Sequence, residues 1–202
     1  MELMKRYPDN HFDLAIVDPP YGIGEKFKGG KSGKMNFNEV VEKGWDNEIP
    51  SAKYFNELKR VSKNQIIWGG NYFLDNLGNT RCFICWDKKI SQDFTLAMAE
   101  MAWTSFDKLA KIFRMSVPKT GGKIHPTQKP IKLYQWLLTN YAEPNFKIVD
   151  THLGSGSIAI AVDSVNKIEK MNLTLTACEL DTEYYQAATK RIEEQTTWNS
   201  LF

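Results

Sequence analysis

Asp18-Pro19-Pro20-Tyr21 closes a short apolar run, residues 14–17, that reads as a buried parallel strand. A carboxylate at the carboxyl end of such a strand sits where open α/β sheets place their chemistry, in the crevice outside the strand ends. Two successive prolines cannot continue a strand ladder, because each lacks an N–H and fixes φ near −65°. The backbone is stiffened there, and the proline carbonyls are left free to accept hydrogen bonds. Tyr21 adds an aromatic ring. A fixed acceptor, free carbonyls and a stacking plate together suit a planar substrate that carries an amino group.

A second short strand, residues 147–150, also ends in an acid, Asp150, and runs into Thr151-His152-Leu153-Gly154-Ser155-Gly156 and an apolar helix. Glycines at 154 and 156 let the backbone turn sharply and approach a ligand closely. The run fits G-x-G-x-x-A, so a nicotinamide or flavin nucleotide is one reading. Glu179 closes the next strand at the distance where an acid can bind ribose hydroxyls. Strand, glycine turn, helix, strand and acid together indicate an adenosine-type cofactor without saying which. Residues 24–32 imitate a phosphate-binding loop, but the spacing from Gly24 to Lys31 is one residue too long and no apolar helix follows.

These segments need a scaffold. Strand patterns at 12–18, 65–68, 81–86, 109–115, 147–150 and 173–179 alternate with helical ones at 52–61, 131–141, 155–166 and 181–194, as in an α/β domain. Ser51 suits an N-cap and Pro130 a first helical turn. The Gly-, Lys- and Asn-rich segment 22–50 lacks periodicity and reads as a mobile lid. At 202 residues and 42% hydrophobic content, a single domain over 1–202 is expected.

The remaining composition narrows the class. No apolar run approaches the roughly 18 residues of a membrane span, and the N-terminus lacks a signal-peptide core. Three cysteines point to a reducing, cytoplasmic setting rather than a disulfide framework. Cys82 and Cys85 are spaced C-x-x-C, but on a strand they face opposite sides and no second pair completes a zinc site. The histidines, His11, His125 and His152, show no metal-ligand spacing, so no metal is expected. Net charge is only +2, yet residues 105–130 hold Lys108, Lys111, Arg114, Lys119, Lys123 and Lys129 against the single acid Asp107. Such a patch can meet a phosphate backbone.

The order of motifs is Asp-Pro-Pro-Tyr, a variable stretch, His125-Pro126-Thr127-Gln128-Lys129-Pro130, the turn at 150–156, and then Glu179. It resembles the permuted β group of DNA amino-methyltransferases, which methylate adenine N6 or cytosine N4 with S-adenosylmethionine (AdoMet). The stretch 179–185, followed by Ala187 and Arg191-Ile192, also resembles that family's second cofactor motif. The resemblance implies a Rossmann-like methyltransferase fold: a mostly parallel sheet with helices on both faces and circularly permuted motif order. It further implies a short strand ending in Gly-Asp upstream of the helix that residues 1–7 continue, and this strand is expected to be missing. His152 stands where the family often has an aromatic residue.

Carried over by position, the resemblance assigns catalysis to Asp18, Pro19, Pro20 and Tyr21. Cofactor binding falls to Thr127, Gln128, Lys129, Asp150, His152, Gly154, Ser155, Gly156, Glu179 and Asp181. Asp18 and the Pro19 carbonyl would each accept one N–H of a flipped-out adenine, with Tyr21 stacked on the base. No covalent intermediate is required. Cytosine C5 methylation would need a nucleophilic cysteine after a proline, whereas Arg81, Ile84 and Ala177 precede the three cysteines. Target recognition is expected from a small insert at 87–124 with help from the lid. Lys88, Lys89, Lys108, Lys111, Arg114, Lys119 and Lys123 are the candidates for DNA phosphate contacts. So short a recognition region points to a short target site or help from a second subunit, a homodimer. Asp18 favours adenine N6. Cytosine-N4 methylation is the near alternative, a non-catalytic DNA-binding relic is the rival from another class, and a role in restriction-modification follows from the family.

Overall fold

A computed structural model describes residues 1–23, 31–32, 35–36, 44, 46–91, 97–116 and 124–197. Helix α1 (Glu2–Lys5) leads into β1 (Phe12–Val17), followed by α2 (Ala52–Val61), β4 (Ser62–Trp68), β5 (Ile84–Asp87), β6 (Ala99–Thr104) and β7 (Lys111–Arg114). Helix α3 (Ile131–Tyr141), β8 (Lys147–Asp150), α4 (Ser157–Glu169), β9 (Thr174–Ala177) and α5 (Thr182–Thr197) complete the chain. Within the expected lid, β2 (Lys31–Ser32) and β3 (Met35–Asn36) pair as an antiparallel ribbon.

Seven strands form one sheet in the order β7-β5-β6-β4-β1-β8-β9. β1 lies parallel to both β4 and β8, β8 to β9, and β5 to β7, while β6 is antiparallel to both β4 and β5. β6 therefore runs against the other six. β1 is central and buried on both faces, which explains its continuous apolar run. Leu14 and Ile16 pack with Leu133, Leu137 and Leu138 of α3 and Ile158, Ala161 and Val165 of α4. Ala15 and Val17 face the other way, against Tyr54, Phe55, Leu58 and Val61 of α2. Helices thus cover both faces, as expected.

The sequence reading recovered β1, β4, β5, β7, β8, β9 and four helices to within a few residues. β6 was missed. It and β7 belong to the main sheet, so the span 87–124 is only partly an insertion. Ser51 does stand at the N-cap of α2 but makes no side-chain capping bond, and Pro130 precedes the first residue of α3.

Candidate active site

Parallel pairing brings the two acid-tipped strands together. Leu14 lies beside Ile148 and Ala15 beside Val149, so the turn that follows Asp150 begins next to Asp18. On the other side Val17 pairs with Ile67, which puts Trp68 and Gly69 beside Asp18. The 150–156 turn and the Asp-Pro-Pro-Tyr segment thus share one crevice at the carboxyl edge of the sheet.

Asp18 is held from two directions. The Tyr21 hydroxyl donates to Oδ1 at 2.6 Å, and the Lys129 ammonium donates to Oδ2. Tyr21 itself is held by backbone and ring contacts but stays partly exposed. Its N–H donates to Asp46 Oδ1 at 2.5 Å, its ring stacks on Tyr72 at 5.0 Å between centroids, and Gly69 backs it. A Cβ on Gly69 would come within 2.2 Å of the Tyr21 ring, so only glycine allows this approach. Asp46, buried in the 22–50 segment, also accepts the Gly22 N–H at 3.1 Å. Burial raises its carboxyl pKa despite these backbone donors. Tyr72 and Asp46 carried no motif and were missed by sequence reasoning.

Lys129 was expected on the cofactor side. Its side chain is instead buried, with Nζ 3.1 Å from Glu100 Oε2 and 3.3 Å from the Tyr21 hydroxyl, and 5.1 Å from the centre of the Trp68 ring. Glu100, near the start of β6, reaches this edge because β6 runs backwards through the sheet. It also pairs with Lys88 at 2.5 Å. Burial works against the Glu100 charge, but the ammonium groups of Lys129 and Lys88 overrule it and hold the carboxyl at about 2. Burial likewise opposes the Lys129 charge, and Asp18 and Glu100 reverse the effect and raise its pKa. Lys88, expected to touch phosphate, is thus committed to this internal ion pair, with its side chain only 13% exposed.

On the other side of the crevice, Gly154 and Gly156 both take positive φ, 53° and 72°. A Cβ on Gly156 would meet Ile192 of α5 at 2.8 Å. The Glu179 carboxylate follows the end of β9 and braces the turn, accepting the N–H groups of Gly154 at 2.8 Å, Leu180 at 2.8 Å and Asp181 at 3.0 Å. Leu180 beside it is almost wholly exposed. Asp150 accepts the His152 N–H at 2.9 Å, and burial lifts its pKa from an ordinary 3.8 to about 7. His152 bonds Thr151 Oγ1, which also meets the Tyr54 hydroxyl at 2.7 Å, and burial lowers the imidazole to about 4. His125 lies edge-on to Tyr184 and within reach of Thr127 Oγ1, and burial lowers its pKa too. The Gln128 side chain closes its own loop, accepting the Ile124 N–H.

Several other expected contacts take structural posts. Asp181 accepts the N–H groups of Glu183 and Tyr184 and so caps α5. The Ser155 hydroxyl turns inward to Ser157, and its carbonyl accepts Arg191 at 2.6 Å. Lys108 and Lys111 bond Asn140 near the end of α3, and both lie over the Tyr141 ring. Lys111 opens β7 and therefore marks the amino edge of the sheet, opposite Asp18. Arg114, at the other end of β7, pairs loosely with Asp87, and exposed Lys89 follows β5 on the same edge as Asp18. Lys119 and Lys123 lie outside the described residues. Among those residues, no cluster of potential ligands could hold a metal, and no helix is long and apolar enough to cross a membrane.

A seven-stranded, mostly parallel sheet with one reversed strand, and a crevice joining an acid-tipped strand to a glycine turn, define a Rossmann-like methyltransferase fold. Residues 102–190, a little under half of the chain, match the family model described as DNA methylase. Among its relatives is the type II methyltransferase M.HpaI of Haemophilus parainfluenzae, 20% identical over 96% of this chain and 72% of the relative. The solved M1.HpyAVI–SAM complex superposes with a TM-score of 0.60 at 18% identity, covering 95% of this chain and 94% of that one. PvuII DNA methyltransferase, described as cytosine-N4-specific, also gives 0.60, at 12% identity, covering 97% and 88%.

Proposed function

We propose that the protein is an AdoMet-dependent DNA methyltransferase that modifies the exocyclic N6 of a flipped-out adenine. The observation that carries this reading is the shared crevice: Asp18 and its flanking aromatics stand beside the glycine turn at neighbouring strand ends. The residues there fit the cofactor. The Glu179 carboxylate suits a ribose diol and exposed Leu180 offers an apolar face for a purine, while the His125 ring borders the turn, 3.7 Å from where a Cβ on Gly154 would stand. When bound, AdoMet supplies an activated methyl group.

The adenine amino nitrogen is a weak nucleophile because its lone pair is delocalised into the ring. Asp18 and the Pro19 carbonyl each accept one N–H, which favours a pyramidal nitrogen. Positive charge grows on that nitrogen during transfer, and fixed acceptors stabilise it more than the neutral ground state. Asp18 keeps lone pairs for this despite its contacts with Tyr21 and Lys129, since a carboxylate offers about four acceptor sites. Tyr21, with Tyr72 stacked on it, provides the aromatic plate for a base taken out of the duplex. Lys89 and Arg114, on the same edge, meet phosphates. Recognition falls to the parts of 87–124 outside β6 and β7, with help from 22–50.

Incubation with methyl-labelled AdoMet and mixed-sequence DNA, followed by nucleoside mass spectrometry, tests the proposal. Label is expected in N6-methyladenine. Label in N4-methylcytosine would move the target to the other amino base. No label and no thermal stabilisation by AdoMet would leave a non-catalytic relic, because a ligand that binds only the native state must stabilise it.

A further inference from the structure

Asp18, Lys129, Glu100 and Lys88 form a chain of alternating charge that reaches inward from the crevice. Lys129 spends its donors on Asp18, on Glu100 at 3.1 Å and, more distantly, on the Tyr21 hydroxyl at 3.3 Å. Its ammonium is enclosed further by the Trp68 ring at 5.1 Å. Glu100 meets Lys129 through Oε2 and Lys88 through Oε1. The side chains of Asp18, Glu100 and Lys88 are 14%, 23% and 13% exposed, so the network is screened only weakly by solvent.

A buried cation beside the acid of the site poses an electrostatic problem. An ammonium paired with Asp18 alone would cancel the negative field needed where positive charge develops. Two carboxylates sharing one ammonium leave a net negative charge. Lys88 joins this chain through Glu100 Oε1, one link further along than Lys129, and lies 5.3 Å from the centre of the Trp86 ring. Resting on the methyltransferase reading above, we propose that Glu100 and Lys129 are a positioning pair for Asp18. Lys129 fixes the Asp18 carboxylate through Oδ2, and Glu100 draws part of the ammonium's field away from it. Asp18 then presents an oriented, uncancelled charge to the amino group. Neither residue touches the substrate.

The test is methyl transfer to mixed-sequence, unmethylated DNA by the wild type, E100Q and E100D, with melting curves to confirm folding. For E100Q, kcat is expected to fall on the order of 10- to 100-fold. Apparent KM values for DNA and AdoMet should stay within about threefold, because binding contacts are untouched. E100D restores the charge and should recover most of the loss. Should E100Q not fold, E100Q/K88M removes the surplus cation while still depriving Lys129 of its second carboxylate, and the same fall in kcat is expected. A folded variant lacking the Glu100 charge that turns over at the wild-type rate, or whose loss lies wholly in KM, overturns the proposal. No transfer by the wild type itself would overturn the methyltransferase reading, and this inference with it.

Discussion

Asp18 and Asp150 stand at the ends of adjacent strands and have opposite tasks. Asp18 is held by a hydroxyl and an ammonium, and on the proposed mechanism nothing else in the crevice replaces its carboxylate. Asp18→Ala should therefore remove methyl transfer by several orders of magnitude in a radiolabel assay while the melting curve stays cooperative. Substantial residual transfer would contradict the assigned role. Asp150 is buried, and its pKa of about 7 lies above its ordinary 3.8. The folded protein then keeps a proton that the unfolded chain has lost between about pH 4 and 7. Stability linked to that proton is complete below pH 4 and disappears as pH rises through 7. Asp150→Asn carries no such penalty. Its stability relative to wild type should rise by roughly 2–3 kcal/mol between pH 5 and pH 8. Urea titrations at both pH values check this, and a constant difference would mean Asp150 is ionised throughout.

Element direction explains how the site is stocked. Parallel strands deliver their last residues to one edge, which is why Asp18, Asp150 and Glu179 meet there. A reversed strand delivers its first residues to the same edge, and so β6 contributes Glu100. Helix α3 starts at this edge and ends at the other, carrying Lys129 to Asp18 at one end and Tyr141 to Lys108 and Lys111 at the other. At Gly156, the N-cap of α4, φ is 72° and a Cβ would press on Ile192 of α5. Gly156→Ala combines left-handed strain with overpacking, each costing about 1–3 kcal/mol. Chemical denaturation should show a loss of at least ~1 kcal/mol. AdoMet-induced stabilisation should weaken as well, because the turn is displaced with the helix.

Across the whole molecule, charge is divided between two edges. Net charge is small, so on the proposed function DNA affinity would come from local cations rather than the global field. Lys108 and Lys111 sit on the edge away from the crevice, while Lys89 and Arg114 sit on the same edge as it, at the ends of β5 and β7. The charge-reversing pair K108E/K111E should leave DNA binding within about twofold of wild type, since each lost phosphate contact would otherwise lower the salt slope by ~0.9. The pair K89E/R114E should weaken binding to all sequences alike and flatten the salt dependence by roughly two contacts. Fluorescence anisotropy at several salt concentrations separates the two, and equal effects would mean that DNA wraps both edges.

Sequence alone determined what is local or densely patterned. Buried parallel strands are continuous apolar runs, tight turns need glycine, and a carboxylate followed by two prolines is rare enough to stand out, so β1, β8, β9, the turn and Asp18 were legible. The reversed strand was not. Its residues Ala-Glu-Met-Ala-Trp-Thr are half exposed and hardly alternate, so no period marked them. Contacts between distant positions were equally hidden. Lys129 lies 111 residues from Asp18, and Asp46 lies 25 from Tyr21. A cluster of lysines read along the chain looked like one basic patch, yet the sheet sends its members to opposite edges and buries Lys129 against Asp18 and Glu100. Periodicity reports which face of an element is buried. Only the folded arrangement decides which charge meets which, because Coulomb energy depends on distance in space and not on separation along the chain.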